Sequence, residues 1–297
     1  MNRNTQKWYD KPVTKIILIT IAFTWIFPVF GFVLSSFRPG EAIKRESWWD
    51  AIYTGKLWTE LTLANYSEIF FADNLDRSFY NSFAVTIPST IIPITIAAFA
   101  AYAFAFMEFR GKEVLFLFVV GSMIIPLQMS LIPLVQLFKS GIEIFGIPII
   151  PELDLNGTFV ATWFAHTGFG LPLATFLLRD FMMGLPKSVI ESAKIDGANN
   201  FQIFIHITIP MLVPVLIVVI FIRLMDSLKI VDEVWMLTGG GPGYGTRFTG
   251  IHIWKEVFEK RSYGYSSAMS ILYLYITIVI CWFLYSVMVS RGKVDEN

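Results

Sequence analysis

Runs of about twenty mostly apolar residues recur along this chain, at roughly 16–37, 83–106, 114–138, 159–178, 208–228 and 266–289. Each is long enough to cross the roughly 30 Å hydrocarbon core of a bilayer as a helix. A backbone in lipid must satisfy its own hydrogen bonds, so such runs predict helices and exclude loose loops and open strands. The fold class that follows is an all-α membrane protein with six transmembrane helices. Composition agrees: 15% of the 297 residues are charged, against about 25% in soluble domains, and the mean hydropathy is +0.60. No soluble domain fits between the spans, which predicts one membrane domain over 1–297 with lipid around it.

The formal net charge is zero. Phosphate binding needs a basic excess, so nucleic acid is excluded as a partner. Cys281 is the single cysteine; it excludes an intrachain disulfide and a zinc site of cysteine spacing. Arg3, Lys7, Lys11 and Lys15 precede the first run, which is longer than a signal-peptide core and has no small-residue cleavage site, so it reads as a retained span. The 107–113 loop carries Arg110 and Lys112, the tail carries Arg291 and Lys293, and the 139–158 loop has only Lys139. Basic residues collect on the cytoplasmic side, which predicts both termini there. The 179–207 segment is then cytoplasmic. The longer 38–82 and 229–265 segments lie outside, with Trp48, Trp49 and Trp58 suited to an interface.

One stretch breaks the apolar pattern, "LPKSVIESAKIDGANNFQIFIHITIP", ending at Pro210. Pro186 stands near a helix start, and Ser188 with Glu191 spells a capping box. Gly197 suits the left-handed residue that closes a helix. Asn199 or Asn200 can cap a second helix, and Pro210 fits the first turn of the next span. The reading is a helix-turn-helix over 186–210, with Val189, Ile190 and Ala193 on its apolar side and Glu191, Lys194 and Asp196 on its polar side. An ordinary amphipathic connector would share those features. The fuller pattern is E-x-A-x-x-D-G-A, then an aromatic and I-x-x-P: Glu191, Ala193, Asp196, Gly197, Ala198, Phe204, Ile207 and Pro210.

That pattern resembles the EAA loop of ABC-importer permeases, with Ser192 where alanine is usual, and the chain is similar to the carbohydrate-uptake permeases of the maltose type. The resemblance implies that Glu191, Ser192, Ala193, Asp196 and Gly197 form a coupling helix seated on a separate ATPase. The implied partners are an ATPase dimer, a second homologous permease chain and an extracytoplasmic solute-binding protein. ATP and magnesium would be held by the ATPase, with no cofactor in this chain. The implied setting is a bacterial or archaeal inner or plasma membrane, and the cargo a sugar, oligosaccharide or sugar-like polyol. A glycerol phosphate ester or another polar solute is the alternative within the same machinery. The "LTGGGP" stretch is also shared, and Gly240, Gly241 and Tyr244 are its candidate contacts with the binding protein.

No Walker A string occurs, and the cluster Gly239, Gly240, Gly241, Gly243 and Gly245 lacks the lysine that would reach phosphates. The chain therefore reads as a permease and not an enzyme. His166, His206 and His252 are scattered over a span and two loops. His166 has no evident partner in sequence, which weighs against a membrane-embedded hydrolase; it reads as a hydrogen-bonded packing residue ahead of a pathway residue. A stand-alone secondary transporter would show matching broken spans in two halves. Pro126, Pro133 and Pro172 interrupt spans three and four without a counterpart.

"FIRLMDSLKIVDEVW" places Arg223, Asp226, Lys229, Asp232 and Glu233 at three- and four-residue spacing, a helical stripe of alternating sign. Either span five ends near Leu224 and the ladder stands paired in water, or the helix continues and the stripe lines a path. In the second case Arg223, Asp226, Lys229, Trp235 and His166 are the candidate solute contacts. Trp163, Phe164 and Phe169 would suit sugar stacking, but lipid or helix contact is the commoner role.

Overall fold

The computed structural model describes residues 12–71 and 75–292, the last five of these by backbone alone. Arg3, Lys7, Lys11 and Lys293 lie outside the described residues, and the side chain of Arg291 likewise. Among the described residues, four helices are long and apolar enough to cross a membrane: Pro12–Ser36, Leu75–Phe106, Asn200–Leu228 and Tyr263–Val287. The third expected span is not one rod. Helices Lys112–Ile124 and Leu127–Ser140 meet at a bend of 106°. Ile125 is extended there, with ψ 117°, as the steric clash of a following proline favours. The last turn before it is already a 3₁₀ turn, Ser122–Ile124, so Pro126 breaks a helix that Pro88, Pro93, Pro133, Pro172 and Pro214 do not.

The chain forms two compact units. The first comprises 12–71 and 253–275. Its α1 (Pro12–Ser36) is apolar all round and almost wholly exposed, the pattern of a helix that faces lipid or another membrane chain. Short helices follow: α2 (Gly40–Arg45), α3 (Trp48–Tyr53), α4 (Leu57–Glu60) and α5 (Ala64–Phe71). A buried Arg38 ties them together. Its Nε and Nη2 donate to Glu60 Oε2 at 3.0 and 2.8 Å, while Asn65 Nδ2 donates to the carbonyls of Ser36 and Arg38. Trp48 packs on Phe27 and Phe30, whereas Trp49 and Trp58 are exposed.

The second unit comprises 75–252 and 276–292. Its axis is α6 (Leu75–Phe106) against α9 (Phe159–Met183), the most extensive helix pairing in the molecule. Ser82, Ser89, Ala97 and Ala101 on one helix and Ala161, Ala165, Gly170 and Ala174 on the other are buried. Small side chains let the backbones approach closely, the usual device where lipid offers no hydrophobic drive for association. Between them run α7 (Lys112–Gly121), α8 (Leu127–Ser140) and a hairpin of β1 (Ile142–Ile144) with β2 (Ile147–Ile150). Helices α10 (Lys187–Ile195) and α11 (Asn200–Ile203) lead through a π-turn, Phe204–Thr208, into α12 (Ile209–Leu228). Asn200–Leu228 is thus one continuous element, not a short helix followed by a separate span at 208. Helices α13 (Asp232–Thr238), α14 (Thr249–Phe258) and α15 (Tyr263–Gly292) complete the chain.

Candidate functional site

Three features of the second unit carry polar chemistry: the segment after α9, a cluster buried between α9, α12 and α13, and the glycine loop after α13. In the first, α10 follows α9 by a tight turn at Gly184–Pro186. The expected Ser188–Glu191 capping box does not form, because Pro186 is already extended at ψ 111° and the helix begins at Lys187. Ser188 then sits inside the first turn. Gly197 closes α10 at φ +86°, with Ala198 N donating to Ala193 O at 2.9 Å, a Schellman-type end. Asn199 caps α11 reciprocally with Gln202, both bonds 2.9 Å.

Glu191, Ser192, Asp196 and Gly197 are exposed and Ala193 is half-buried, while Ile190 is buried. The segment is pinned from beneath by Phe204, which packs on Phe99 and Tyr102 with ring centroids 4.9 and 5.1 Å away. Asp196, Gly197, Gln202, Ile203 and His206 line an open depression beside it. The result is a knob of mixed charge, with exposed Lys187, Glu191, Lys194 and Asp196, on a base packed into the core.

The charge ladder is not one stripe. Helix α12 ends at Leu228 and α13 begins at Asp232, so Arg223 and Asp226 stand on one helix and Glu233 on another. Lys229 is exposed and pairs with Asp226 at 2.9 Å; Trp235 is half-buried against the Ile230, Val234 and Phe248 cluster. Arg223, His166, Glu233 and Ser227 are brought together and are only 5%, 4%, 1% and 1% exposed. Arg223 Nη2 donates to the carbonyl of His166 at 3.0 Å. His166 Nδ1 lies 3.1 Å from Glu233 Oε2, and its Nε2 lies 2.9 Å from Ser227 Oγ. Nδ1 thus faces the carboxylate and Nε2 the hydroxyl. Gly170 makes room for the arginine: a Cβ there would collide with the guanidinium.

His166 therefore has the partners its sequence context did not show. Ser227, His166 and Glu233 even have the connectivity of a hydrolytic triad, but a nucleophile must reach a carbonyl carbon and Ser227 is buried with its neighbours. The cluster joins helices. Nearby, Gln128 Nε2 donates to Asp232 Oδ2 at 3.3 Å, close to the bend between α7 and α8. Trp163 Nε1 donates to the Ala84 carbonyl, Phe169 packs with Ala161 and Leu237, and Phe164 is exposed. Glu233 could have been singled out from its place in the ladder; Ser227 and Gln128 carry no signal in the sequence.

The glycine loop leaves α13 through Gly239 and Gly240, at φ +58° and +77°. Gly240 and Gly241 are buried and half-buried, Tyr244 is half-buried, and Pro242 and Gly243 form the exposed crest. The Arg247 guanidinium lies 4.0 Å from the centre of the Tyr244 ring. This loop adjoins the start of α9, where Gly157 N donates to Leu237 O. The knob follows the other end of α9.

Residues 93–289 match the family of binding-protein-dependent transport system inner membrane components, about two thirds of the chain. The chain belongs to that family. Among family relatives, the osmoprotective compounds uptake permease GgtD of Synechocystis sp. is 38% identical over 72% of this chain and 67% of its own length. The alpha-glucoside transport system permease AglG of Rhizobium meliloti is 49% identical over 55% of this chain, but only 41% of its own length is matched. The trehalose/maltose permease MalF of Thermococcus litoralis is 29% identical over 71% of this chain and 73% of its own. A crystallised bacterial ABC transporter for the import of alginate shares the permease fold at a TM-score of 0.71 and 17% identity, over 93% of this chain and 94% of its own. The alginate transporter crystallised with its pentasaccharide-bound periplasmic protein gives 0.66 at 18%, over 92% of each chain.

Proposed function

We propose that this chain is a permease subunit of an ATP-driven importer and forms half of the path for a sugar, oligosaccharide or sugar-like polyol. The observation that carries the reading is the knob at Glu191–Gly197. It is a helix closed at its C-terminal end by Gly197, with exposed Glu191, Lys194 and Asp196, rooted in the core through Ile190 and Phe204, in a chain of a binding-protein-dependent transport family. In this reading α7 and α8 are the third span and α9 the fourth, making six, and both termini are cytoplasmic. The knob seats on a separate ATPase dimer, which holds ATP and magnesium. A second permease chain completes the path, and the 239–246 loop meets an extracytoplasmic solute-binding protein at Gly240, Gly241 and Tyr244. Arg223 and His166 act by joining α9 to α12 and α13, and Asp226 and Lys229 stand at the end of α12. The sugar assignment is supported by relatives named for alpha-glucoside and trehalose/maltose transport.

The test is affinity purification of the tagged chain from its native membrane, followed by mass identification of partners and ATP-dependent uptake of labelled sugars in vesicles. Recovery with an ATPase, lost in Gly197→Leu while the chain still inserts, is the expected result. A chain recovered alone that transports solute without ATP would overturn the reading in favour of a secondary transporter.

A further inference from the structure

The glycine loop is held by more than its own residues. Asn81, on α6 and 4% exposed, donates from its side-chain amide to the carbonyls of Tyr244 at 3.0 Å and Arg247 at 2.9 Å. Both amide hydrogens of that side chain are thereby used on one loop. The same helical face continues the grip. Ser82 Oγ bonds Thr249 Oγ1 and accepts from Thr249 N, each at 2.9 Å, and Ser78 Oγ lies 3.1 Å from His252 Nδ1. Positions 78, 81 and 82 share one side of a helix, so α6 fastens the whole descending limb from Tyr244 to His252.

The crest has no such anchor. Gly245 N donates to Pro242 O at 2.9 Å, and Thr246 Oγ1 donates to Gly241 O at 2.7 Å; these bonds stay inside the loop. A glycine-rich crest has many conformations to lose on docking, and a partner that had to freeze them would bind more weakly. Fixing the limb where the crest ends removes much of that freedom in advance.

We infer that Asn81 is a positioning residue that presets the Pro242–Gly243 crest for docking to the solute-binding protein, an inference that rests on the reading of this loop given above. Asn81 itself is buried and touches no partner. Its effect is on how readily the crest is captured and not on the chemistry that follows.

The experiment uses the intact complex in lipid nanodiscs and the solute-binding protein that co-purifies with it, loaded with its solute. ATP hydrolysis is measured against binding-protein concentration for the native chain, Asn81→Asp and Asn81→Gln. Aspartate keeps the shape but has no hydrogen to donate, and glutamine restores an amide on a longer stem. In Asn81→Asp the half-maximal concentration is expected to rise about tenfold with the maximal rate retained, and Asn81→Gln is expected to recover part of the shift. An unchanged half-maximal concentration in Asn81→Asp would overturn the inference. So would a fall in maximal rate alone, which is the mark of a residue needed only for folding. Pro242→Cys with a bifunctional crosslinker separates the two layers. A crosslink to the binding protein together with an unshifted curve sinks the role of Asn81, whereas no crosslink in the otherwise native chain sinks the docking reading and the inference with it.

Discussion

The knob at Glu191–Gly197 and the cluster around His166 use the same residue types in opposite ways. In the knob Glu191 and Asp196 are exposed, while the helix that carries them is closed by its own neighbours, Gly197 and Ala198, and Asn199 caps the next. In the cluster the charged groups are buried and each meets a residue of another helix, Glu233 at the His166 ring and Arg223 at the His166 carbonyl, although Arg223 Nε has no hydrogen-bond partner among the described residues. Burying a charge without a partner is expensive, whereas leaving one in water costs almost nothing. The same substitution should therefore damage folding in one region and only function in the other.

The sharpest way to break that contrast is Glu233→Ala, which strands His166 Nδ1 and the nearby guanidinium in a buried site. A loss of about 3–5 kcal/mol is expected from removing one member of a buried pair, read as a lowered unfolding midpoint in detergent. An unaltered midpoint would show that the cluster is solvated and the contrast false. Phe204→Ala tests the one place where the knob depends on the core; removing a buried ring costs about 3–5 kcal/mol when the site cannot collapse. Phe204 is 4% exposed and sits in the main core cluster against Phe99 and Tyr102, so a loss within that range is expected. Gly170→Ala drives a methyl into the Arg223 guanidinium and should cost about 1–3 kcal/mol, the range for overpacking a filled site. Asn199→Ala removes the cap of α11 and should cost about 1 kcal/mol. Glu191→Ala is expected to leave stability within about 0.5 kcal/mol of the native chain while ATP-dependent uptake collapses; stability and uptake falling together would erase the distinction between the regions.

The knob was legible in the sequence because consecutive residues specify it. A glycine at the left-handed position and a pair of asparagines after it announce their turns without reference to the rest of the fold, and the structure chooses Asn199 of the two. Even there one local signal misled. Ser188 and Glu191 have the capping spacing, but Pro186 takes the boundary first by being locked out of the helical region on its own account. The cluster was far less legible, since its members lie 57 to 67 residues apart. The spacing of Arg223, Asp226, Lys229 and Glu233 suggested one helix, yet the chain leaves the helix after Leu228 and starts another, which turns Glu233 inward to His166 while Lys229 stays in solvent.

What the sequence determined by itself is what short stretches of chain can decide: that the chain is mostly helical with several segments apolar enough for a membrane, that Gly197 ends one helix and Asn199 or Asn200 caps the next, and that no Walker A string is present. The tertiary structure decided the break at Pro126, the division of the charge ladder between α12 and α13, the partners of His166, and the grip of Asn81 on the glycine loop. The physical reason is that hydropathy marks a residue as fit to leave water without saying what it meets there. Lipid and a neighbouring helix are equally apolar, so only the packed arrangement tells which faces touch.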